Sequence, residues 1–332
     1  GAIRTVMITG DHKVTATAIA KQIGIFSEGD RALSGQELDG MTDEELDAAL
    51  PRIAVYARVS PAHKIRIVSA WQRQGCIVSM TGDGVNDAPA LKKADIGVAM
   101  GITGTEVSKD AASMILADDN FATIVKAVVN GRTVFANIRN AVTFLLSGNT
   151  AGILCVLYTS LLALPVPFAP VHLLFINLLT DSLPAIAIGM EPARDGLLNQ
   201  PPRNPKEPIL TGRLAGKIGL QGLLIALATM AAFYIGLPRG AAAASTMAFA
   251  PLTLARLFHG FNCRGDASVF RLGLLSNRYS LFAFLAGVLL LAAVLFLPFL
   301  RGLFLVAPLS LSDFGLIALL AFAPTLLIQL FK

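Results

Sequence analysis

Six apolar stretches, each long enough to cross a lipid bilayer as a helix, occupy most of the chain after residue 140. A membrane-spanning helix needs about 20 apolar residues in succession. The stretches lie at residues 141–164, 171–190, 214–237, 241–262, 281–300 and 309–331. We therefore expect an all-α domain of six transmembrane helices that is surrounded by the lipid bilayer.

The residues before the first apolar stretch differ in composition from those that follow. Of the 332 residues, 54% are hydrophobic and 15% are charged, yet most of the acidic residues precede Asn120. The mean hydropathy of +0.65 is too high for an ordinary soluble enzyme. We predict a soluble domain over residues 1–125, followed by a stalk helix and six transmembrane helices over residues 126–332.

The distribution of positive charge indicates a membrane orientation. The net charge of +5 comes from Lys and Arg beside the apolar stretches, so nucleic acid is not an expected partner. These residues accumulate in alternate loops, whereas the other loops hold only Arg239 and Arg301. Because Lys and Arg accumulate on the cytoplasmic side of a membrane, we expect a multi-pass protein of the cell membrane with a cytoplasmic soluble domain and C-terminus.

Three polar residues interrupt the second apolar stretch. Asn177, Thr180 and Asp181 are spaced i, i+3 and i+4, which places their side chains on one face of a helix. Pro184 has no N–H to donate to the carbonyl of Thr180, four residues earlier. A freed carbonyl beside a carboxylate suits a hard cation such as Ca²⁺, which takes about six to eight oxygen ligands.

The alternative interpretation is that these polar side chains hold neighbouring helices together. For Asn177 and Thr180 the two interpretations are equally open. Asp181 favours a cation site, because an ionised carboxylate near mid-membrane costs at least about 2.5 kcal/mol and usually marks an ion path. Asn149, in the first stretch, offers another amide oxygen, with interhelical hydrogen bonding as its alternative.

The soluble part has the pattern of an α/β fold. The apolar runs IRTVMI, RIAVYA, GCIVSM and ADIGVAM alternate with helical stretches, which indicates short buried strands in a parallel sheet. The segment SEGDRALSGQELDGMTDEELDAAL is interpreted as an exposed connection and a short acidic helix capped near Thr42. Polar motifs follow the strands, at the end where open α/β sheets bind ligands.

The first motif is TGD at Thr9, Gly10 and Asp11, between a strand and a helix. A hydroxyl and free backbone N–H groups at the start of a helix form an anion site that suits a phosphoryl group. A plain N-cap turn is the alternative.

The second motif, TGDGVNDAPAL at residues 81–91, also follows a strand. Its glycines permit a tight turn, and Asp83 and Asp87 provide two carboxylates for a magnesium ion near phosphate. Asn86 is placed to donate to a phosphate oxygen, and Lys64 to neutralise charge on a transferred phosphoryl group. The alternative for Lys64 is a solvated helix residue. Together the motifs predict a phosphoryl-transfer site in which one component is absent.

The combination of MITGDH, SPAHK, TGDGVNDAPAL and NLLTDSLPA resembles the P-type ATPases, and within them the calcium-transporting subfamily. The resemblance covers essentially the whole chain. It implies a partial phosphorylation domain of the haloacid-dehalogenase type, with Mg²⁺ and ATP as cofactors and Ca²⁺ as the transported ion. The implied phosphate-handling residues are Thr9, Gly10, Asp11, Lys64, Gly82, Asn86 and Asp87, and Asp83 is the implied magnesium ligand. The implied calcium ligands are Asn149, Asn177, Thr180 and Asp181.

Other parts of the family pattern do not occur in this sequence. The phosphorylated aspartate of the family lies in a DKTGT segment, which this sequence does not contain. The actuator domain, the nucleotide-binding domain that receives ATP and the first four membrane helices are likewise not present. We therefore expect the chain to be the C-terminal part of a pump, to need those segments as partners, and not to hydrolyse ATP by itself.

Two residues depart from the pattern of calcium pumps that carry two ions. Gly152 stands three residues after Asn149, where those pumps have a glutamate, and Arg256 falls near the place of another acidic ligand. A guanidinium repels a second cation, so we expect one Ca²⁺ per cycle with Arg256 in the vacant site. The alternative is that Arg256 extends toward the cytoplasmic face, since Arg264 is only about 12 Å further along a helix.

The predicted function is ATP-driven export of Ca²⁺ from the cytosol. Transport of Mn²⁺ or another cation is an alternative, because oxygen ligands alone do not exclude it. A membrane-anchored phosphatase or regulatory subunit is a second alternative, but it gives a carboxylate at mid-membrane no purpose.

Overall fold

The structure is a computed structural model that describes residues 2–194 and 196–332. The chain divides into two compact units. The first comprises the residues up to Val129 together with Leu198–Pro202, and the second comprises Asn130–Leu197 and Arg203–Lys332. The domain boundary between residues 125 and 126 stays a prediction.

The first unit contains two three-stranded parallel sheets, with strand orders β1-β3-β2 and β4-β5-β6. Every residue of the central strand β3 is buried, as is typical of parallel strands with helices on both faces. The expected α/β fold is therefore confirmed. The strands are β1 Met7–Thr9, β2 Arg31–Ser34, β3 Ile53–Ala57, β4 Ser79–Gly82, β5 Ile96–Met100 and β6 Met114–Leu116. The helices are α1 Lys13–Gln22, α2 Gly35–Asp39, α3 Asp43–Ala49, α4 Pro61–Arg73, α5 Ala88–Lys93 and α6 Glu106–Ala111.

The segment that was expected to be an exposed connection is part of this fold, so that expectation is wrong. It forms β2, α2 and α3, and its three leucines at these elements are buried: Leu33, Leu38 and Leu46. Both helices begin with a capping box, Ser34 with Glu37 in α2 and Thr42 with Glu45 in α3. The predicted cap at Thr42 is confirmed. In the sequence, several polar residues separate these leucines, so the segment lacks the apolar pattern that indicates burial.

Among the described residues, six helical segments are long and apolar enough to span a membrane. The first of them is the helix at Phe121–Leu161. The expected all-α domain is therefore confirmed. The helices are α7 Phe121–Leu161, α8 Pro170–Phe175, α9 Ser182–Gly189, α10 Gly212–Gly236, α11 Ala241–Asn262, α12 Val269–Leu272, α13 Arg278–Phe296, α14 Pro298–Leu303 and α15 Leu311–Leu330. A π-helical turn at Ile176–Thr180 joins α8 and α9 into one spanning segment.

Helix α11 lies at the centre of the second unit, where it packs against α10, α13 and α15. Seventeen of its 22 residues are buried, including Arg256 in its C-terminal half. A helix that is buried around most of its circumference has little surface for lipid. The polar side chains of α11 therefore find their partners within the protein.

A buried ion pair joins the ends of several membrane helices. Arg264, which follows α11, is fully buried and donates to both carboxylate oxygens of Glu191 at 2.9 Å. Asn277, the cap residue of α13, donates to the same carboxylate at 2.7 Å, and Asn137 of α7 donates to the backbone carbonyl of Glu191 at 2.8 Å. Because both ions are paired and hydrogen-bonded, they are tolerated away from water. The network joins the ends of α9, α11 and α13 to Asn137 in the interior of α7.

Candidate phosphate and cation sites

Lys64 and Asp87 form an ion pair in the first unit. Lys64 lies in the first turn of α4, whose N-terminus is capped by Ser60, and Asp87 directly precedes α5. Only 16% of the Lys64 side chain and 11% of the Asp87 side chain are exposed. The pair therefore holds the ammonium group of Lys64 against the loop that follows β4.

This loop folds around the carboxylate of Asp87. The carboxylate oxygen Oδ2 accepts hydrogen bonds from the backbone N–H groups of Asp83 and Gly84, both at 3.2 Å. Burial raises the pKa of Asp87, but hydrogen bonds from Lys64 and Gly84 outweigh that effect, and the pKa lies below its ordinary value. Gly82 leaves room for the carboxylate, since a Cβ there would lie 2.7 Å from the Cγ atom of Asp87. Asp87 thus organises the loop as a buried anion.

Asp83 projects from the same loop. Its backbone carbonyl accepts hydrogen bonds from Thr105 N at 2.8 Å and from Ser108 Oγ at 3.1 Å. Its side chain is exposed and has no hydrogen-bond or ion-pair partner among residues 2–194 and 196–332. A fixed backbone with a free carboxylate fits Mg²⁺, which binds through one or two carboxylates together with water and phosphate oxygens. The side chain of Asn86 is exposed beside it.

The first motif makes a smaller polar turn at the end of β1. Thr9 Oγ1 donates to Asp11 Oδ2 at 2.9 Å and accepts from the Asp11 backbone N–H at 3.1 Å, with Gly10 exposed between them. Within the part of the chain that the structure describes, no hydrogen bond or ion pair joins this turn to Lys64. The structure therefore joins Lys64, Asp83 and Asp87 through hydrogen bonds, whereas those of Thr9 and Asp11 described here lie within their own turn.

The second unit has an irregular turn at the predicted helix break. Asp181 N donates at 2.9 Å to the carbonyl of Ile176, five residues earlier, which is the bonding pattern of a π-helical turn. Such single wide turns occur frequently at functional sites. Thr180 and Asp181 are buried at this turn, whereas Asn177 is exposed. The three predicted side chains at this turn therefore differ in burial.

Arg256 of α11 reaches the carboxylate of Asp181. The two side chains are only 3% and 2% exposed, and the Nη2 atom of Arg256 donates to Asp181 Oδ2. The same Nη2 atom donates to Asn149 Oδ1 of α7 at 3.0 Å. Arg256 therefore points toward the polar residues of the neighbouring helices and not toward the end of its own helix.

The remaining predicted residues have different surroundings. Asn149 makes an interhelical hydrogen bond with Arg256, which was the alternative to a ligand role. Thr180 Oγ1 donates to the carbonyl of Ile176 at 3.0 Å. Two buried atoms in this region have no partner among the described residues, Asp181 Oδ1 and Arg256 Nε. An unpartnered carboxylate oxygen is available as a ligand for a cation.

A cavity of about 310 Å³ opens beside this polar group. Its walls include Asn149, Gly152, Asn177 and Arg256 together with apolar residues of α7 and α8. A Cβ on Gly152 would meet no atom of the described residues within 4 Å. Gly152, at the position where two-ion pumps of the resembled family carry a glutamate, thus lines this cavity.

Sequence reasoning missed two buried polar residues close to Arg256. Ser147 Oγ of α7 lies 2.8 Å from His259 Nε2 of α11, and His259 is 1% exposed. His259 follows Arg256 by three residues and Ser147 precedes Asn149 by two. A histidine one helical turn after Arg256, on an otherwise apolar helix, was the signal that could have identified His259, whereas no such spacing marks Ser147.

Comparison with known proteins gives two family matches. Residues 165–332 match the family described as cation transporting ATPase, C-terminus. Residues 1–95 match the haloacid dehalogenase-like hydrolases. The two matches fall on the membrane helices and on the α/β unit, respectively.

Curated relatives match almost the whole chain. A calcium-transporting ATPase of Bacillus subtilis is 45% identical over 329 residues, and one of Listeria monocytogenes is 48% identical over 336 residues. The human calcium-transporting ATPase type 2C member 1 is 40% identical over 314 residues. These alignments cover 98%, 99% and 92% of this chain, but 37%, 38% and 34% of the relatives. The chain thus spans little more than a third of the length of the relatives that it matches.

Proposed function

Because this chain belongs to the cation-transporting ATPases of the P-type family, we propose that it forms the phosphate-handling and cation-binding parts of an ATP-driven pump that exports Ca²⁺ from the cytosol. It acts together with an actuator domain, a nucleotide-binding domain and four further membrane helices of a longer polypeptide. The observation that carries the proposal is the carboxylate of Asp181, buried at a π-helical turn in a membrane-spanning segment. A carboxylate at this depth usually lies on an ion path.

The chemistry of the surrounding atoms suits Ca²⁺. Asp181 offers a carboxylate with one unpartnered oxygen, and Thr180, Asn149 and Asn177 offer hydroxyl and amide oxygens. Hard cations bind such mixed oxygen sets, and irregular helix turns present them at membrane depth. The names of the curated relatives, which are calcium-transporting ATPases, support Ca²⁺ over Mn²⁺.

We expect one Ca²⁺ per cycle. The guanidinium of Arg256 lies beside Asp181 and Asn149, and Gly152 supplies no acidic side chain to the adjoining cavity. A fixed positive charge in a poorly solvated site repels a second cation. Ca²⁺ that binds the unpartnered oxygen of Asp181 shares this carboxylate with Arg256, whose positive charge opposes the ion.

The phosphate-handling cluster performs the other half of the cycle. Lys64 is held by Asp87 and stabilises negative charge on a transferred phosphoryl group, while Asn86 donates to a phosphate oxygen. Asp83 holds Mg²⁺, which offsets the charge of the phosphate oxygens. Thr9, Gly10 and Asp11 provide a further polar turn for the phosphoryl group. ATP itself binds in the nucleotide-binding domain.

Helix α7 connects the two activities. It runs without a break from Phe121 to Leu161, about 60 Å, and carries Asn149 of the cation site. A rigid helix of this length transmits movement between a phosphorylation domain and a membrane site. The accumulation of Lys and Arg in alternate loops supports a cytoplasmic position for the phosphate-handling cluster and the C-terminus.

Phosphoenzyme formation in the longer polypeptide tests the proposal. Wild type should form an acid-stable phosphoenzyme from ATP in a Ca²⁺-dependent and Mg²⁺-dependent manner, and Asp181→Asn should lose the Ca²⁺ dependence. Asp266→Asn, which changes an exposed carboxylate 67% open to solvent, is the matched control. A titration with Mn²⁺ separates the two cations. Full Ca²⁺ dependence in Asp181→Asn would refute the assigned site.

A further inference from the structure

Gly148 lies in α7 where the guanidinium of Arg256 crosses that helix. A Cβ on Gly148 would lie 2.7 Å from both Cζ and Nη2 of Arg256 and would also collide with Nε. Real Cβ atoms do not approach other heavy atoms so closely, so a side chain at this position and the present place of the guanidinium exclude each other. The three nearest atoms to such a Cβ all belong to Arg256.

The position of the guanidinium decides which partners it reaches. From its place against the backbone of α7, Nη2 contacts Asp181 and Asn149 at once. Charge-assisted hydrogen bonds of this kind depend strongly on distance and angle. A displacement that clears a Cβ would break at least one of the two contacts.

The atoms that a Cβ at Gly148 would meet first belong to the side chain of Arg256 and not to the backbone of a neighbouring helix. At Gly222 of α10, by contrast, a Cβ would meet the side chain of Thr150 and the backbone carbonyl of Ser147, which is a contact between two helices. A glycine inside a helix is less stable than alanine at the same place. At Gly148 the atoms that a Cβ would meet first belong to Arg256, so the place of the guanidinium is a reason for glycine at this position.

We infer that Gly148 is a positioning residue, which seats the guanidinium of Arg256 against α7 so that it contacts Asp181 and Asn149 together. The consequence for Ca²⁺ rests on the proposed function, whereas the seating itself does not. Gly148 thereby sets how strongly Arg256 competes with a cation for Asp181.

A double-mutant cycle in the complete pump tests the seating. The variants are Gly148→Ala, Arg256→Met and the two combined, and thermal unfolding in detergent is the readout. Gly148→Ala alone should lower the melting temperature by roughly 2 °C or more. In the Arg256→Met background the same change should leave it equal or higher, because the methyl group fills vacated space. Gly131→Ala is the matched control, since a Cβ on that α7 glycine meets no described atom within 4 Å.

The Ca²⁺ dependence of phosphoenzyme formation supplies the second readout. Gly148→Ala and Arg256→Met should change the half-saturating Ca²⁺ concentration in the same direction by roughly fivefold or more, and the double variant should match Arg256→Met alone. A general defect in folding would lower the maximal amount of phosphoenzyme without shifting the half-saturating Ca²⁺ concentration of both variants in the same direction.

Each outcome decides the inference. Additive effects in the cycle, or a Gly148→Ala variant that behaves like Gly131→Ala, overturn it. If Gly148→Ala does not fold, the double variant must be at least as stable as Arg256→Met alone, and a double variant that is less stable than Arg256→Met overturns the inference. If wild type shows no Ca²⁺-dependent phosphoenzyme, the proposed function fails, while the unfolding cycle still decides the role of Gly148.

Discussion

Replacement of Arg256 by methionine should destabilise the protein strongly, because it leaves a buried carboxylate without its counter-ion. Arg256 and Asp181 are 3% and 2% exposed, so water does not take over the role of the guanidinium. Breaking a buried pair by removing one partner costs about 3–5 kcal/mol. We expect Arg256→Met to lower the free energy of unfolding by that amount, and Asp181→Asn to do nearly the same.

Removal of both charges should restore most of the loss. In the structure the pair leaves Asp181 Oδ1 and Arg256 Nε without partners, so each ion is incompletely compensated for its lost hydration. Buried pairs replaced on both sides by neutral residues are often neutral or stabilising. The combined variant Arg256→Met with Asp181→Asn should therefore lie within about 1 kcal/mol of wild type, which gives a coupling energy of several kcal/mol.

Equilibrium unfolding in mixed micelles, followed by circular dichroism, measures these free energies. Arg139→Met is the control, since Arg139 and Asp266 are 41% and 67% exposed in their ion pair and such a pair contributes at most about 1 kcal/mol. A loss below about 1 kcal/mol in Arg256→Met would show that the guanidinium extends to solvent in the protein, and the argument for a buried pair would be refuted.

Three further changes test other parts of the molecule. The pKa of Glu37 is lowered to about 2 by a hydrogen bond from Lys13 and by backbone N–H donation. A carboxyl group whose pKa is lowered on folding stabilises the fold at pH values above its ordinary pKa of 4.5, and this stabilisation is lost as the pH falls toward 2. Glu37→Gln should therefore make the free energy of unfolding less dependent on pH within this range. An unchanged pH dependence contradicts this prediction. Glu191→Gln should cost about 3–5 kcal/mol in micelle unfolding because its guanidinium partner is fully buried, and a cost below about 1 kcal/mol is the opposing result. Gly152→Glu together with Arg256→Met should raise the Ca²⁺ bound per phosphoenzyme from about one to about two, since Gly152 adjoins open space; a ratio that stays at one opposes the vacant-site hypothesis.

The sequence determined the class of each part of this protein. Apolar runs about 20 residues long predict membrane-spanning helices, and the alternation of short apolar runs with helical stretches predicts a parallel α/β unit. The structure confirms both. These predictions succeed because helix and strand formation depend on hydrogen bonds and burial patterns that repeat within a few residues. Asp87 follows β4, and Lys64 lies in the first turn of α4, which follows β3, so both belong to the segments after strands where α/β folds place ligand-binding residues.

Strand β2 shows where local patterns fail. Its single fully buried leucine, Leu33, lies among charged and small residues, so nothing in the segment distinguishes it from a connection. Pairing with β3 decides the matter, and β3 begins about twenty residues further along the chain. Arg264 is a similar case, since the sequence shows only an arginine after an apolar stretch, whereas the structure buries it in an ion pair with Glu191.

The partners of Arg256 were decided by tertiary structure alone. The sequence showed a charge inside an apolar helix but left open whether it faced solvent or the protein. Asp181 and Asn149 stand 75 and 107 residues before it in the chain, and Gly148 makes room for it from a third helix. Contacts over such separations depend on how the helices pack, because packing determines which side chains share a buried space and at which positions there is no room for a Cβ atom.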